Sequence, residues 1–327
     1  MALVRAGIHG INMLADSGYY EVVQANILAL DTHLIKMRTP HGFIQEYHGT
    51  FGYSQSGALI GGTATYYKES YPDGSLSYDV SDMFLNVSTY QYYASRNDSM
   101  GLRSYMLSGN DGIVGGPADD ILAGFAGNDA IRGEGGNDII VGGLSGDRID
   151  GGAGIDTVVM AGPRSAYTVS HVNGYVAVSG GVDGGDTLST VERIRFTDGT
   201  LVVDQSDPVF GVYRLYEAAL NRAPDGPGLT AWVNAAATGT TMPTMAHQFM
   251  QSSEFSNRYG SPDNASFVNL LYLNVLDRPA DGEGAAFWLH GLNAGLATRE
   301  EVLLGFANSG ENIAYVNNAV GDGIWMA

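Results

Sequence analysis

At 327 residues, with hydrophobic side chains at 44%, the chain is long enough for two or three domains and too apolar to be disordered. Sixteen Lys and Arg against thirty-five Asp and Glu give a formal charge of −19, which excludes nucleic acid and anionic membrane as partners and favours multivalent cations. There is no cysteine, so disulfides and thiolate metal sites are excluded, and no apolar run approaches the roughly 18 residues of a membrane span.

The first twenty residues lack the form of a conventional signal peptide: Gly7, His9, Gly10 and Asn12 interrupt any apolar core, and Asp16 follows. This end alone suggests cytoplasmic residence, although a chain exported on a C-terminal address would look the same. Residues 1–107 carry twelve of the nineteen tyrosines, in patches such as TATYYKESY and STYQYYAS, and Tyr, Thr and Val favour strands. Breaks at Pro40-His41-Gly42 and Pro72-Asp73-Gly74 predict turns, so an antiparallel β layer is expected.

From Gly109 to Asp156 the chain is periodic. Asp111, Asp120, Asp129, Asp138, Asp147 and Asp156 recur every nine residues, and two places after each stands an aliphatic residue: Ile113, Leu122, Ile131, Ile140, Ile149 and Val158. Gly-Asn-Asp clusters form turns without any metal. This block, however, holds fifteen glycines and nine acidic residues against two basic ones. Each glycine costs roughly 0.5 to 1 kcal/mol of backbone entropy relative to alanine, so cations are expected to be needed for folding.

Beyond the repeats, AYTVSHVNGYVAVS predicts a hairpin turning at Asn173-Gly174, and RIRFTDGTLVVD a second at Asp198-Gly199. These strands are expected to extend the repeat sheet and cover its open end. From about Asp207 the period becomes helical and a second duplication appears. Arg222 pairs with Arg278, Asp225 with Asp281, Gly228 with Gly284 and Trp232 with Trp288 at a shift of 56; Phe249 pairs with Phe306 and Glu254 with Glu311 at 57. Thr298 followed by Glu301 is a capping-box signature.

The nonapeptide pattern resembles the haemolysin-type (RTX) calcium-binding repeat, GGxGxDxUx with U a large aliphatic residue, found in secreted bacterial toxins, proteases, adhesins and surface-layer proteins. The resemblance implies a right-handed parallel β-roll with two nonapeptides per turn. One column of loops then holds Asp111, Asp129 and Asp147, and the other Asp120, Asp138 and Asp156. Calcium takes six to eight oxygen ligands at about 2.3 to 2.6 Å, here from those carboxylates and from the loop backbones at Gly115, Gly124, Gly127, Gly133, Gly136, Gly142, Gly151 and Gly154. About four Ca2+ ions are expected between adjacent turns. Ala118 and Ser145 replace the glycine two places before the Asp, and Phe125 and Glu134 replace the second glycine. The resemblance also implies type I secretion with an uncleaved C-terminal signal, with which the tip AVGDGIWMA is compatible.

LNRAPDGPGLTAW and LDRPADGEGAAFW resemble a helical domain of unknown function, related to phycobilisome-linker domains, that accompanies such repeats in bacterial surface proteins. This resemblance implies an interaction or assembly module. For Asp225 and Asp281 a helix cap is the first reading and a ligand role the second; Trp232 and Trp288 are expected in the core. The N-terminal layer loosely resembles segments preceding repeats in other type I secreted proteins.

The expected architecture is therefore an N-terminal all-β layer (1–107), the central β-roll (108–160), a β-hairpin cap of the roll (161–206) and a C-terminal all-α domain (207–327). No HExxH, GxSxG or GxxxxGK[ST] motif is present, and His41 and His48, seven apart, have no metal-binding spacing. The leading expectation is an extracellular or cell-surface, non-catalytic protein that self-associates or contacts envelope or polysaccharide. The alternative is a secreted hydrolase that uses the repeats for export and folding; a pore-forming toxin ranks third, because no amphipathic membrane segment is visible.

Overall fold

The computed structural model describes residues 2–7, 13, 26–39, 42–96 and 98–327. The chain divides into two compact units, Met1–Gly199 and Thr200–Ala327. The first begins with strands β1 (Leu3–Ala6), β2 (Asn26–Leu30), β3 (Leu34–Arg38), β4 (Ile44–Tyr53), β5 (Leu59–Ser70), β6 (Leu76–Ser81) and β7 (Leu85–Asn86). Strands β2 to β6 form an antiparallel meander. One face carries a line of alternating charge across five strands, Lys36–Glu46–Lys68–Asp79–Arg5, each residue directly opposite the next. On the other face, the buried Glu69 accepts from Gln45, Tyr67 and Ser77.

The expectation of an all-β layer over 1–107 needs correction, because helices α1 (Val87–Ala94) and α2 (Ser99–Met106) follow β7. TATYYKESY lies in β5 as expected, but STYQYYAS is helical. Val87 and Tyr90, three apart, both face the sheet. Packing at that spacing overrides the strand preference of Tyr and Thr, which is a weak prior. His41 lies outside the described residues, and His48 pairs with Glu46 at 3.3 Å.

Six three-residue strands, β8 (Gly112–Val114), β9 (Ile121–Ala123), β10 (Ala130–Arg132), β11 (Ile139–Val141), β12 (Arg148–Asp150) and β13 (Thr157–Val159), come next. They alternate between two parallel sheets, β8-β10-β12 and β9-β11-β13, so each turn of the coil contributes one strand to each. Ile113, Ile131 and Ile149 stack in register in one sheet, and Leu122, Ile140 and Val158 in the other. None of the six is more than 1% exposed. Burial of such a side chain contributes about 1.5 to 3 kcal/mol, and two such ladders form the narrow core.

The coil does not stop where the nonapeptides stop. Strands β14 (Tyr167–Val172) and β15 (Tyr175–Gly180) form a hairpin turning at Asn173-Gly174, where φ is +52° and +83°. Then β16 (Gly184–Ser189) pairs in parallel with β12, and β17 (Arg193–Phe196) with β13, which sets Leu188 beside Ile149 and Ile194 beside Val158. Residues assigned to a hairpin cap thus include a further turn of the coil. At the other end β1 pairs in parallel with β8, placing Val4 beside Ile113.

Strand β18 (Gly199–Val202) begins at the boundary, and the second unit contains the rest of it and helices α3 (Pro208–Leu220), α4 (Gly226–Ala237), α5 (Met242–Gln251), α6 (Ser253–Tyr259), α7 (Asn264–Leu276), α8 (Gly282–Asn293), α9 (Arg299–Ala307) and α10 (Gly310–Val320). The duplication seen in sequence is a duplication of caps: Asp207, Asp225, Thr241 and Ser252 in one half, and Asp263, Asp281, Thr298 and Ser309 in the other, each accept a backbone N–H from the first turn. Contrary to an all-α reading of 207–327, the chain tip forms strand β19 (Ile324–Met326), antiparallel to β18.

Candidate metal centre

None of the six nonapeptide aspartates is more than 3% exposed. Their positions follow from the strands: each precedes a three-residue strand whose middle residue points inward, so each carboxylate sits at the mouth of a turn. Gly115, Gly124, Gly133, Gly142 and Gly151 immediately follow the strands, while Gly127, Gly136 and Gly154 stand two places before an Asp with φ between +108° and +146°. Phe125 and Glu134 adopt the same left-handed backbone as Gly143 and Gly152, and Ser145 does so at +89°. Each such non-glycine costs roughly 1 to 2 kcal/mol.

The carboxylates form two ladders at a separation of eighteen residues. In one, the N–H groups of Asp111 and Asp129 donate to Oδ1 of Asp129 and Asp147, both at 2.8 Å, and the N–H of Ala2 donates to Oδ1 of Asp111. In the other, Asp120 donates to Asp138 at 2.7 Å and Asp138 to Asp156 at 2.8 Å. An exposed second ladder lies beside them: Asn128 donates to Asn110, Asn137 to Asp119, Gly146 to Asn128 and Ile155 to Asn137, all from backbone N–H to side-chain oxygen.

Two members of the ladders escape the periodic reading. The N–H of Asp147 donates to Oδ1 of Asp186 at 3.0 Å across 39 residues, and that of Asp156 to Oε2 of Glu192 at 2.7 Å across 36. The inserted hairpin breaks the spacing and Glu replaces Asp, but the aliphatic residue two places on survives in Asp186-Thr187-Leu188 and Glu192-Arg193-Ile194.

With Oδ1 engaged, the second oxygen becomes the informative one. Oδ2 of Asp111, Asp129, Asp138, Asp147 and Asp156 is buried without a hydrogen-bond partner. Such an atom is costly unless something else satisfies it. Asp120 differs, since its Oδ2 accepts the N–H of Gly116 at 2.6 Å within the loop that carries Ala118. A Cβ at Gly124 would collide with both Oδ2 of Asp129 and the carbonyl oxygen of Gly142; at Gly133 it would collide with Oδ2 of Asp138 and the carbonyl oxygen of Gly151. A carboxylate oxygen and a carbonyl oxygen from the next turn therefore converge where only glycine leaves room.

Burial pushes the carboxyls of Asp129, Asp138 and Asp186 up to about 7, partly offset by the donated N–H and reinforced by like charges along each column. Asp147 and Asp156 shift upward for the same leading reason. Hard oxygen donors in surplus of positive charge fit calcium. Oδ2 of Asp129 with the Gly142 carbonyl, and Oδ2 of Asp138 with the Gly151 carbonyl, are the groups that would hold it. Among the described residues no three His, Cys, Asp or Glu side chains converge as a metal cluster, so such a site draws on backbone carbonyls.

Asp225 and Asp281 present the opposite picture. Each caps a helix, accepting from Gly228 at 2.8 Å and Gly284 at 2.7 Å, and each meets its own arginine, Arg222 at 3.5 Å and Arg278 at 3.0 Å. Arg222 further pairs with Glu254 and Arg278 with Glu311, and each guanidinium lies over a tyrosine ring, Tyr216 or Tyr272. Trp232 stacks on Phe249, and Trp288 packs against Phe306. The repeated motif is a structural knot whose acidic groups are already partnered.

A family model described as the RTX calcium-binding nonapeptide repeat matches residues 107–140 and 123–158, and one described as a domain of unknown function (DUF4214) matches residues 246–316. No curated protein matches the chain. Eleven chains of solved structures match. One is the extracellular lipase LipA from Serratia marcescens, at 22% identity and a TM-score of 0.26, covering 27% of this chain and 14% of the lipase. So short and shallow a likeness says nothing about activity. The chain thus carries RTX calcium-binding repeats and a DUF4214 domain.

Proposed function

We propose that this is an extracellular calcium-binding structural protein whose coil folds on calcium after export, and which acts without catalysis in cell-surface, surface-layer, filament or matrix assembly. The observation that carries the reading is the set of five buried aspartates, each with one oxygen bound to a backbone N–H and the other without a hydrogen-bond partner. Extracellular calcium modules bind with dissociation constants around 10⁻⁴ to 10⁻³ M, so at cytosolic calcium the coil is at its least stable, which favours passage of the unfolded chain, and external calcium shifts it to the folded state. About four ions between adjacent turns follow from the same-side pairs 111–129, 129–147, 120–138 and 138–156. Of these, 120–138 is the weakest because Asp120 engages its own loop.

Sizing by light scattering in calcium and in chelator tests the assembly part. Ordered oligomers, sheets or filaments at millimolar calcium, lost on chelation, are expected. A monomer that stays monodisperse under both conditions and cleaves a polysaccharide, ester or peptide substrate overturns that part in favour of a secreted hydrolase.

A further inference from the structure

A second concave feature lies in the N-terminal sheet. Helix α1 and strands β2 to β5 surround a cavity of about 360 Å³, within the roughly 300 to 1,000 Å³ of small-molecule sites. Its walls include Ile35, Met37, Tyr47, Phe51, Ala64 and Tyr90, and among the described residues no charged side chain lines it. Interiors normally pack without voids much larger than a water molecule. The described wall carries three hydroxyls, those of Tyr47, Tyr53 and Tyr90, and that of Tyr53 is donated to the carbonyl of Asp31 at 3.0 Å; the rest is hydrocarbon, which offers an ordered water few of the two to four polar partners it needs.

The mouth is apolar as well. Ile27 and Leu30 line the cavity yet are 63% and 45% exposed. They stand three apart on one strand, where simple alternation would set them on opposite faces. A register shift between Ile27 and Ala29 against β3 turns both toward the cavity.

We propose that this cavity binds the alkyl chain of a monomeric amphiphile, with the chain inside and the polar head in solvent at the Ile27–Leu30 rim. At about 30 Å³ per methylene, close to the share of a water in the liquid, the volume suits a chain on the order of ten carbons. The apolar character of the described walls favours a neutral tail over a charged or sugar-like ligand. The proposal is independent of the calcium sites.

The test uses the full chain in calcium buffer and the neutral fluorophore N-phenyl-1-naphthylamine, with 1-decanol as competitor and phosphatidylcholine vesicles as a separate arm. Saturable uptake of one fluorophore per chain, displaced by decanol, is expected. Ala64→Trp, which fills the cavity, should weaken uptake at least tenfold. Ile27→Asp, at an exposed position where folding is not at stake, should weaken it severalfold, and Ile60→Asp, equally exposed but outside the cavity, should leave it unchanged. Melting curves identify variants that have lost the fold. Absence of saturable uptake, uptake equal in wild type, Ala64→Trp and Ile27→Asp, or association with vesicles that decanol fails to compete would each overturn the proposal.

Discussion

Asp138→Ala is the sharpest perturbation of the calcium reading, because Asp138 stands in two adjacent same-side pairs, with Asp120 and with Asp156. Calcium at ten times its dissociation constant stabilises a site by about 1.4 kcal/mol, so loss of two sites removes about 2.8 kcal/mol. The unit that holds the coil spans 199 residues. At about 2.1 cal/mol/K of unfolding entropy per residue, this lowers the melting temperature by roughly 7 °C in calcium. In chelator two effects oppose each other. The buried N–H of Asp120 loses its acceptor, costing about 1 to 3 kcal/mol, while a carboxyl that burial has pushed up to about 7 is no longer held inside. The variant should therefore fall much further below wild type in calcium than in chelator, with fewer ions bound by calorimetry. Equal falls in both buffers, or an unchanged ion count, would refute the assignment.

Calcium binding should release about one proton at pH 7, because Asp129 and Asp138, the two members of the proposed pairs whose carboxyls burial pushes up to about 7, are each about half protonated when folded without metal; calorimetry in buffers of different ionisation heat reads it, and indifference to buffer contradicts it. These folded values lie above the unfolded 3.8, so the stabilisation they contribute is complete below about pH 4 and lost as pH rises through 7. Chelated protein should accordingly resist urea better at pH 5.5 than at pH 8. Asp186→Ala should remove the acceptor of the Asp147 N–H and cost about 1 to 3 kcal/mol, seen as faster amide exchange at Asp147. Asp225→Ala should cost about 1 kcal/mol as a lost cap without altering calcium stoichiometry, whereas a change in stoichiometry would make Asp225 a ligand.

The coil was legible because its cause is local: a carboxylate every nine residues, with an aliphatic side chain two places on, shows in the chain itself. What extends it is not local. Val4 joins the buried ladder by pairing with Ile113 across 109 residues, and Leu188 by pairing with Ile149 after an inserted hairpin. A period search loses both. Helix α1 was misread for a related reason: Tyr90 and Tyr92 sit in a segment whose conformation is set by what Val87 and Tyr90 pack against, not by propensity. In the helical unit the caps were partly readable, since Thr298 and Glu301 form the expected capping box, but the arginine partners of Asp225 and Asp281 depend on Glu254 and Glu311, more than thirty residues from those arginines.

Both duplications in the chain are built around aspartate beside glycine, and composition cannot tell the two uses apart. Hydrogen-bond accounting can. At Asp281 the carboxylate is exposed and both its oxygens are engaged, one by the N–H of Gly284 and one by Arg278. At Asp138 the carboxylate is buried, one oxygen is engaged and the other is not. A cap holds an aspartate whose charge is already answered within the fold. An aspartate buried with an unanswered oxygen, in columns of like charge, is left with an acceptor that a cation would satisfy, and on the proposed reading that need couples the folding of the coil to calcium.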